Sequence, residues 1–424
     1  MKTRKISKTL ICMLLLLATI MNFSSCSKTN EDEGYESESI DLMRDITPNN
    51  VEPLPELADG NISTVDFAVR LFRETAADSN TLISPLSVMY ALAMTVNGAD
   101  EATLSEMESV LGMSVDELNE YLYTYTNSLP IGEKYKLSIA NSIWVNDDMR
   151  FTANNDFLQR VADYYRADIY KSPFNYNTLR DINNWVKNET GGTIPKVLEE
   201  MSPDAVMYLI NALYFEAEWS KIYQDYQVRD GKFTTEKNEV QKVEMMYSTE
   251  YSYLEDANAT GFLKYYKGGK YAFLALLPNE GMSIESYIDS LDGENLYSLL
   301  SNVIRCEVRT SIPKFESEFA IEFSEILSNM GMPTAFDPYN ANFTKMGESI
   351  TKQLYISRVI HKTFIQVAEK GTKAGAVTVV EVGDNASAAP TEPKRVYLDR
   401  PFVYMIIDTQ NNVPIFIGSM TDIR

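Results

Sequence analysis

"AEKGTKAGAVTVVEVGDNASAAPTEPKRV", residues 368–396, is the stretch on which the reading of the whole chain turns. Its first half alternates and is rich in Val, Thr and Ala; its second half is small, polar and dotted with proline. No helical pattern lies between Glu369 and the apolar run at Phe402, and structureless connections beyond about 12–15 residues are usually functional or disordered. A strand drawn from Thr372 to Val382 has one face of Thr372, Ala374, Ala376, Thr378, Val380 and Val382, and another of Lys373, Gly375, Val377, Val379 and Glu381. Both charges fall on the second face, the segregation that a half-buried strand requires. Small residues at its beginning suit a strand that slides between existing neighbours. The following "GDNASAAPTEPKR" cannot continue it, because Gly, Asp, Asn and Pro disfavour ladder pairing. Exposed tips of small polar residues are preferred sites of proteolytic cleavage. One continuous segment therefore joins an insertable strand to a cuttable tip.

Composition limits the chemistry around that segment. The chain has 424 residues, 45% of them hydrophobic, enough for a large core. A formal charge of −22 and the absence of a dense basic stripe exclude nucleic acid and heparin-type polyanions as expected partners. His361 is the only histidine, and the cysteines are Cys12, Cys26 and Cys306. Too few ligands remain for a Cys/His metal site. No G-x-S-x-G stretch supplies a nucleophile elbow, so an enzyme is not expected, and neither is a cofactor.

The N-terminus reads as an address. Lys2, Arg4, Lys5 and Lys8 precede an apolar run from Leu10 to Met21, the pattern of a secretory signal and short for a membrane span. "FSSC" ends it, with small residues directly before Cys26. This resembles the lipobox of bacterial lipoproteins, which implies lipidation of Cys26, although Phe23 stands where Leu is usual. Several acyl chains on one cysteine anchor firmly. Removing residues 1–25 takes away four basic side chains and no acidic one, moving the charge from −22 to −26. Residues 26–60 are acidic and proline-containing and are expected to form a flexible tether. The expected location is a bacterial outer membrane, with the protein surface-exposed or facing the periplasm.

From residue 61 to 424 the chain reads as one mixed domain. "STVDFAVRLFRETAAD" puts Val65, Val69, Phe72 and Ala76 on one helical face, with Ser63 and Asp66 as its expected capping box. "SPLSVMYALAMTVNG" predicts a buried helix from Ser84–Pro85 to Asn97–Gly98. "TLRDINNWVKNETGG" gives Ile182, Trp185 and Val186 a common face. Strands are expected in "VMYLINALYF", "YAFLALLP", "CEVRTSIPKF", "TFIQVAE", "FVYMIID" and "VPIFIGSM", several apolar on both faces as central strands are. Helices cluster early and strands late, which predicts an α+β class.

In order along the chain, "TLISPLSVMYALAMTVNGAD", "ANSIWVNDDMRFTANNDFLQRVADYYRADIYKSPF", "INNWVKNETGGTIPKVLE", "LINALYFEAEW", "IPKF", "ISRVIHKTFIQVAEKGTKAGA" and "RPFVYMIIDTQNNVPIFIGSM" resemble the blocks of the serpin family. The resemblance implies a large central β-sheet, two smaller sheets, about nine helices and an exposed reactive-centre loop at about 369–395. It also implies roles. Ser84, Ser87, Asn211 and His361 match a polar shutter beneath the place where two central strands part. Trp219, Lys314 and Glu369 match the breach at the top of the sheet. Glu369, Gly371, Thr372, Ala374, Ala376 and Thr378 match the hinge that inserts. Family spacing puts the reactive bond nominally between Asn385 and Ala386.

Two residues depart from the pattern. Glu216 stands where Lys is frequent, and Lys373 stands where many inhibitory members carry Glu. The function implied is suicide-substrate inhibition of serine proteases, with cysteine proteases as a second class. Cleavage of the loop, trapping of the acyl-enzyme and strand insertion are its steps. Small residues around the nominal bond favour elastase-like or subtilisin-like targets, and the lack of Lys or Arg close to Asn385 disfavours trypsin-like ones. A monomer is expected. The alternative is a non-inhibitory member acting as a surface binding protein. Bulky or charged residues at Thr372, Ala374 or Ala376 would favour that alternative, and they are absent.

Overall fold

Side chains of opposite parity along the central strands face two different apolar clusters, and this fixes the layers of the fold. The computed structural model describes residues 37–76, 79–129, 135–147, 150–350, 352–372 and 392–423. Its strands in chain order are β1 (Ile40–Asp41), β2 (Thr81–Ile83), β3 (Tyr135–Asn146), β4 (Thr152–Ala153), β5 (Asp168–Ser172), β6 (Met207–Glu218), β7 (Val228–Thr234), β8 (Val240–Glu255) and β9 (Ala259–Tyr265). They continue as β10 (Tyr271–Pro278), β11 (Ile304–Pro313), β12 (Phe315–Glu322), β13 (Gly347–Glu348), β14 (Arg358–Ala368), β15 (Gly371–Thr372), β16 (Lys394–Tyr397), β17 (Phe402–Asp408) and β18 (Val413–Met420).

The central sheet has seven strands in the order β1-β5-β3-β6-β15-β14-β12, with β6 also pairing directly with β14. A second, nine-stranded sheet runs β16-β11-β8-β9-β10-β17-β18-β2, with β7 attached to β8. Sixteen residues long, β8 joins the two halves of that sheet: it borders β7 from Val240 to Met246, β11 from Met245 to Tyr253 and β9 from Tyr253 to Glu255. The third sheet is the short pair β13-β4. The expectation of a large central sheet in a serpin-like α+β fold holds.

Nine α-helices are present among the described residues: α1 (Ala58–Thr75), α2 (Pro85–Val96), α3 (Glu101–Leu111), α4 (Val115–Ser128), α5 (Asn155–Tyr164), α6 (Tyr176–Glu189), α7 (Ile284–Ser290), α8 (Gly293–Ser301) and α9 (Ser324–Asn329). All twelve residues of α2 are buried, and Ser84 caps it by accepting from the Ser87 amide. Among the described residues no helix is long and apolar enough to cross a membrane.

Three expectations need correction. The first helix starts at Ala58 with Leu57 as an N-cap that makes no side-chain bond, so Ser63 and Asp66 lie within it and form no capping box. The helix begins nearly two turns before the start that a cap at Ser63 would set. "CEVRTSIPKF" is not one strand but two, divided at Lys314 between β11 and β12. Residues 38–60 do not hang free. Ile40 and Asp41 pair with Lys171 and Tyr170 at the sheet edge, the Asn49 amide donates to Asp163 at 2.7 Å, and that of Leu54 to Thr124 at 2.8 Å. An acidic composition is compatible with local backbone pairing that a search for apolar periodicity does not detect. Residues 1–36, including Cys26 and the signal pattern, lie outside the described residues.

Odd-numbered residues of β6 such as Leu209, Leu213 and Phe215 join the main core with α1 and α2, while Tyr208, Ile210 and Ala212 face a separate cluster with α6. That smaller cluster holds Trp144, Ile182, Trp185, Val186 and Ile360, with Ile182 fully buried. It clamps α6 across β3, β6 and β14. Ile182→Ala is expected to cost about 2–5 kcal/mol by leaving a cavity under α6. The measurement is the denaturation midpoint together with amide exchange, in which the α6 amides should respond before those of the main core.

Candidate functional site

The two strands expected to part, β6 and β14, are held apart at their upper ends by Gly371 and Thr372 of the long segment. They pair directly and in parallel from Arg358–Tyr208 to Lys362–Ala212. Above that, β15 enters antiparallel to both. Gly371 sits opposite Ala368 and Glu218, and Thr372 opposite Val367 and Ala217. Only glycine suits position 371: its φ is +153°, and a Cβ there would lie 2.1 Å from the Ala217 carbonyl oxygen. Thr372 is 1% exposed, with its hydroxyl 2.6 Å from that of Tyr266.

The turn that feeds β15 is gripped at successive residues. Trp219 Nε1 donates to the Ala368 carbonyl at 2.8 Å, and the Trp219 amide to that of Lys370 at 2.8 Å. The Tyr223 amide donates to the Glu369 carbonyl at 2.9 Å. Trp219 is fully buried and stacks on Tyr266 with ring centroids 4.3 Å apart. Lys314 Nζ lies 2.8 Å from Glu369 and 2.9 Å from Glu244, so the structure brings Lys314 and Glu369 together as the resemblance implies. Burial pushes the Glu369 carboxyl up, but the Lys314 hydrogen bond, a backbone hydrogen bond and the Lys314 and Lys370 charges together outweigh it and leave the pKa below its ordinary value. Both side chains are about one-third exposed, so the pair is worth no more than about 1 kcal/mol. It fixes geometry more than it adds stability.

Lower in the same sheet, Ser84, Ser87, Asn211 and His361 come together. His361 and Asn211 are direct partners in the β14–β6 register. The Ser84 amide donates to His361 Nε2 at 3.1 Å, which makes Nε2 an acceptor. The proton must then sit on Nδ1, which faces Asn211 Oδ1 at 2.5 Å. Asn211 Nδ2 donates toward the Ser87 carbonyl at 2.6 Å, the Ser87 hydroxyl and Asn141 Oδ1. Every polar group of this fully buried cluster has a partner, as burial demands. Protonating Nε2 would set an N–H against the Ser84 N–H, and burial already lowers the His361 pKa to about 3.

Asn141, which sits opposite Asn211 in the β3–β6 register, escaped the sequence reading, as did Tyr223 and Tyr266. "ANSIWVN" marks a strand but carries no signal for the register that delivers Asn141 to the cluster. Glu216 accepts from the Tyr214 hydroxyl. Lys373, Ala374, Ala376, Thr378, Asn385 and Ala386 lie outside the described residues. Among the described residues, no group of three or more His, Cys, Asp or Glu is placed to hold a metal ion.

Residues 63–423 match the profile of the family described as Serpin (serine protease inhibitor). An uncharacterized serpin-like protein of Thermococcus kodakarensis is 31% identical over 364 residues, 84% of this chain and 83% of that protein. The leukocyte elastase inhibitor of Equus caballus is 28% identical over 371 residues, 83% of this chain and 96% of that protein. Among solved structures, the thermophilic serpin tengpin in its native state is 47% identical with a TM-score of 0.86, covering 91% of this chain and all of that one. The same protein in its latent state gives a TM-score of 0.77 at 45% identity over 89% of this chain and all of that one.

The neutral His361 has a consequence for stability. Its pKa is about 3 in the folded protein against an ordinary 6.5, so the unfolded chain binds the extra proton first. Its contribution is complete above pH 6.5 and falls away as pH drops toward 3, by up to about 1.4 kcal/mol per pH unit. Melting temperature measured from pH 7 to 4 should fall more steeply for the natural chain than for His361→Gln. Equal slopes would exclude His361 as the group responsible.

Proposed function

The chain belongs to the serpin family, and from that premise we propose that it is a suicide-substrate inhibitor of serine proteases, with cysteine proteases as a second class. The observation that carries the reading is β15: residues 371 and 372 are already strand, seated between β6 and β14. The remaining small and β-branched residues to Val382 are the material to extend it. A protease nucleophile attacks the carbonyl of the residue before the scissile bond, nominally Asn385, and the peptide bond to Ala386 breaks as its nitrogen leaves with a proton. The freed end stays esterified to the protease while the segment from Lys373 onward lengthens β15, carrying the protease away before water completes hydrolysis. Roughly ten new ladder bonds at about 0.5–1.5 kcal/mol each amount to about 5–15 kcal/mol. That rivals the stability of a domain, so the uncleaved state persists kinetically.

The register of β15 gives the two departures from the family pattern a joint explanation. Thr372 faces Ala217 and Val367, so the next residue of a lengthening strand, Lys373, meets Glu216 and Gln366. Glutamate and lysine have exchanged places, and opposite charges face each other across the strand. Further down, Thr378 comes between Asn211 and His361, whose direct bond must open to admit it.

The small residues Val382, Ala386 and Ala388 favour an elastase-like or subtilisin-like target, a reading that the similarity to a leukocyte elastase inhibitor supports. We place the protein as a monomer on a bacterial outer membrane, held through lipidated Cys26.

Incubation with a protease panel, denaturing gels and mass spectrometry of the released fragment test the central claim. Denaturant-resistant complexes are expected with an elastase-like or subtilisin-like enzyme, and the fragment mass locates the cut. Thr372→Arg should turn the inhibitor into a substrate, because an arginine cannot occupy a site 1% exposed beside Tyr266; unchanged inhibition stoichiometry would refute insertion. Glu216→Lys should raise the share of cleaved, unproductive product, and adding Lys373→Glu should restore the complex. Cys26→Ala should move the protein out of the membrane fraction, and unaltered fractionation would rule out the anchor.

A further inference from the structure

The backbone grip on the loop base comes from Trp219 and Tyr223, and one buried cation touches both. Lys264 in β9 is 2% exposed. Its ammonium lies 4.3 Å from the centre of the Tyr223 ring and 5.5 Å from that of Trp219. Glu250 holds it from the other strand, with Oε1 2.8 Å from Nζ, and the Glu250 side chain is itself only 13% exposed. The same carboxylate oxygen accepts from the Ser248 hydroxyl at 2.7 Å. Ser248 in turn lies 2.9 Å from Thr310 Oγ1 and 3.4 Å from the Tyr223 hydroxyl. Burial opposes the charge on Lys264, and the facing Tyr223 hydroxyl and Glu250 carboxylate outweigh it, so the cation persists.

A charge taken out of water survives only where its partners fix it, and a cation without water binds an aromatic face more strongly than one at the surface. The contacts therefore form a chain. Glu250 fixes Lys264; Lys264 fixes the Tyr223 and Trp219 rings; those two residues bond the carbonyls of Ala368, Glu369 and Lys370. Nothing in the lysine's own strand needs a charge there, since neighbouring Phe262 and Leu263 are core residues.

We propose that Lys264 is a positioning residue for the reactive loop: through Tyr223 and Trp219 it holds the turn at Ala368–Lys370 from which β15 extends, and so sets how efficiently insertion follows cleavage. The proposal rests on the insertion reading above, and its test separates the two. The variant K264M/E250Q removes the cation without leaving a buried carboxylate unpaired, and K264R keeps the cation. Hydrogen exchange of the uncleaved protein is read by mass spectrometry in segments 217–224 and 366–372, with 81–90 and 205–212 as controls.

In K264M/E250Q, exchange in the two loop-base segments should rise about tenfold while the controls stay unchanged. K264R should exchange like the natural chain. With an inhibited protease, the share of cleaved free product should rise in the double variant and return in K264R. Loop-base exchange at the natural rate would overturn the proposal, and so would a uniform rise across all segments, the mark of a purely structural lysine. Should the double variant not fold, Tyr223→Leu keeps the backbone bond to Glu369 but removes the ring; unchanged loop-base exchange in it would likewise overturn the proposal. If the natural chain forms no complex with any protease, the inhibitory reading falls, and the exchange arm still decides the role of Lys264.

Discussion

Two strands that pair over half their length and diverge over the rest set the terms for the whole molecule. Where β6 and β14 bond directly, the buried His361–Asn211 contact crosses the seam; where they diverge, Gly371 and Thr372 occupy the opening. A sheet interior tolerates such a fork only if both ends are stabilised separately. The lower end is closed by a fully satisfied polar cluster, whose partners come from α2 and β3 as well as from the two strands. The upper end is kept open by aromatic and backbone contacts from the stretch after β6. α6 lies across the same strands on the far face through an apolar cluster of its own, so the seam is covered by packing that is separate from the main core.

Much of this was legible in local sequence, and the remainder depended on register. Apolar runs located β6, β10, β17 and β18, and Ser84–Pro85 located the start of α2, because burial on both faces and helix capping each leave a local signature. β7, β8 and β9 were missed. β7 and β8 are half-buried and rich in charge, with Lys, Glu, Thr and Tyr at exposed positions of β8, whereas β9 is short and mostly buried, with a threonine, a glycine and a lysine breaking its apolar run. Ser63 offered a cap signal that the helix did not use: the chain is already helical from Ala58, although its buried apolar face begins only at Val65. His361, Ser84, Ser87 and Asn211 could be named from a resemblance, but Asn141 could not, because only the β3–β6 register brings it to Asn211. Lys264 had no signal at all. In "GFLKYYKGG" it reads as the polar residue of an alternating strand, and its burial follows from the shape of the surrounding sheet.

Lys314 and Lys264 flank the same turn and differ in what they contribute. Lys314 works in partial contact with water, where it can release and re-form its bonds to Glu369 and Glu244 at little cost. Lys264 is sealed among rings and one carboxylate, where losing a partner is expensive. The first suits a contact that adapts while neighbouring strands shift, the second a fixed post.

Strand direction has a last consequence. β14 runs parallel to β6, the weaker of the two ladder geometries per residue, whereas β15 is antiparallel to both its neighbours. In the proposed insertion, residues 373–376 would fill the opening above the β6–β14 ladder, and residues from 377 onward would each replace one slanted contact with two of the better kind. The entering strand is covalently continuous with β14, so it cannot diffuse away once seated. Under the proposed mechanism, growth at this seam acts as a ratchet: once the His361–Asn211 contact has opened, the added ladder holds the strand in place, no product is released whose return could reverse it, and each molecule serves for a single stroke.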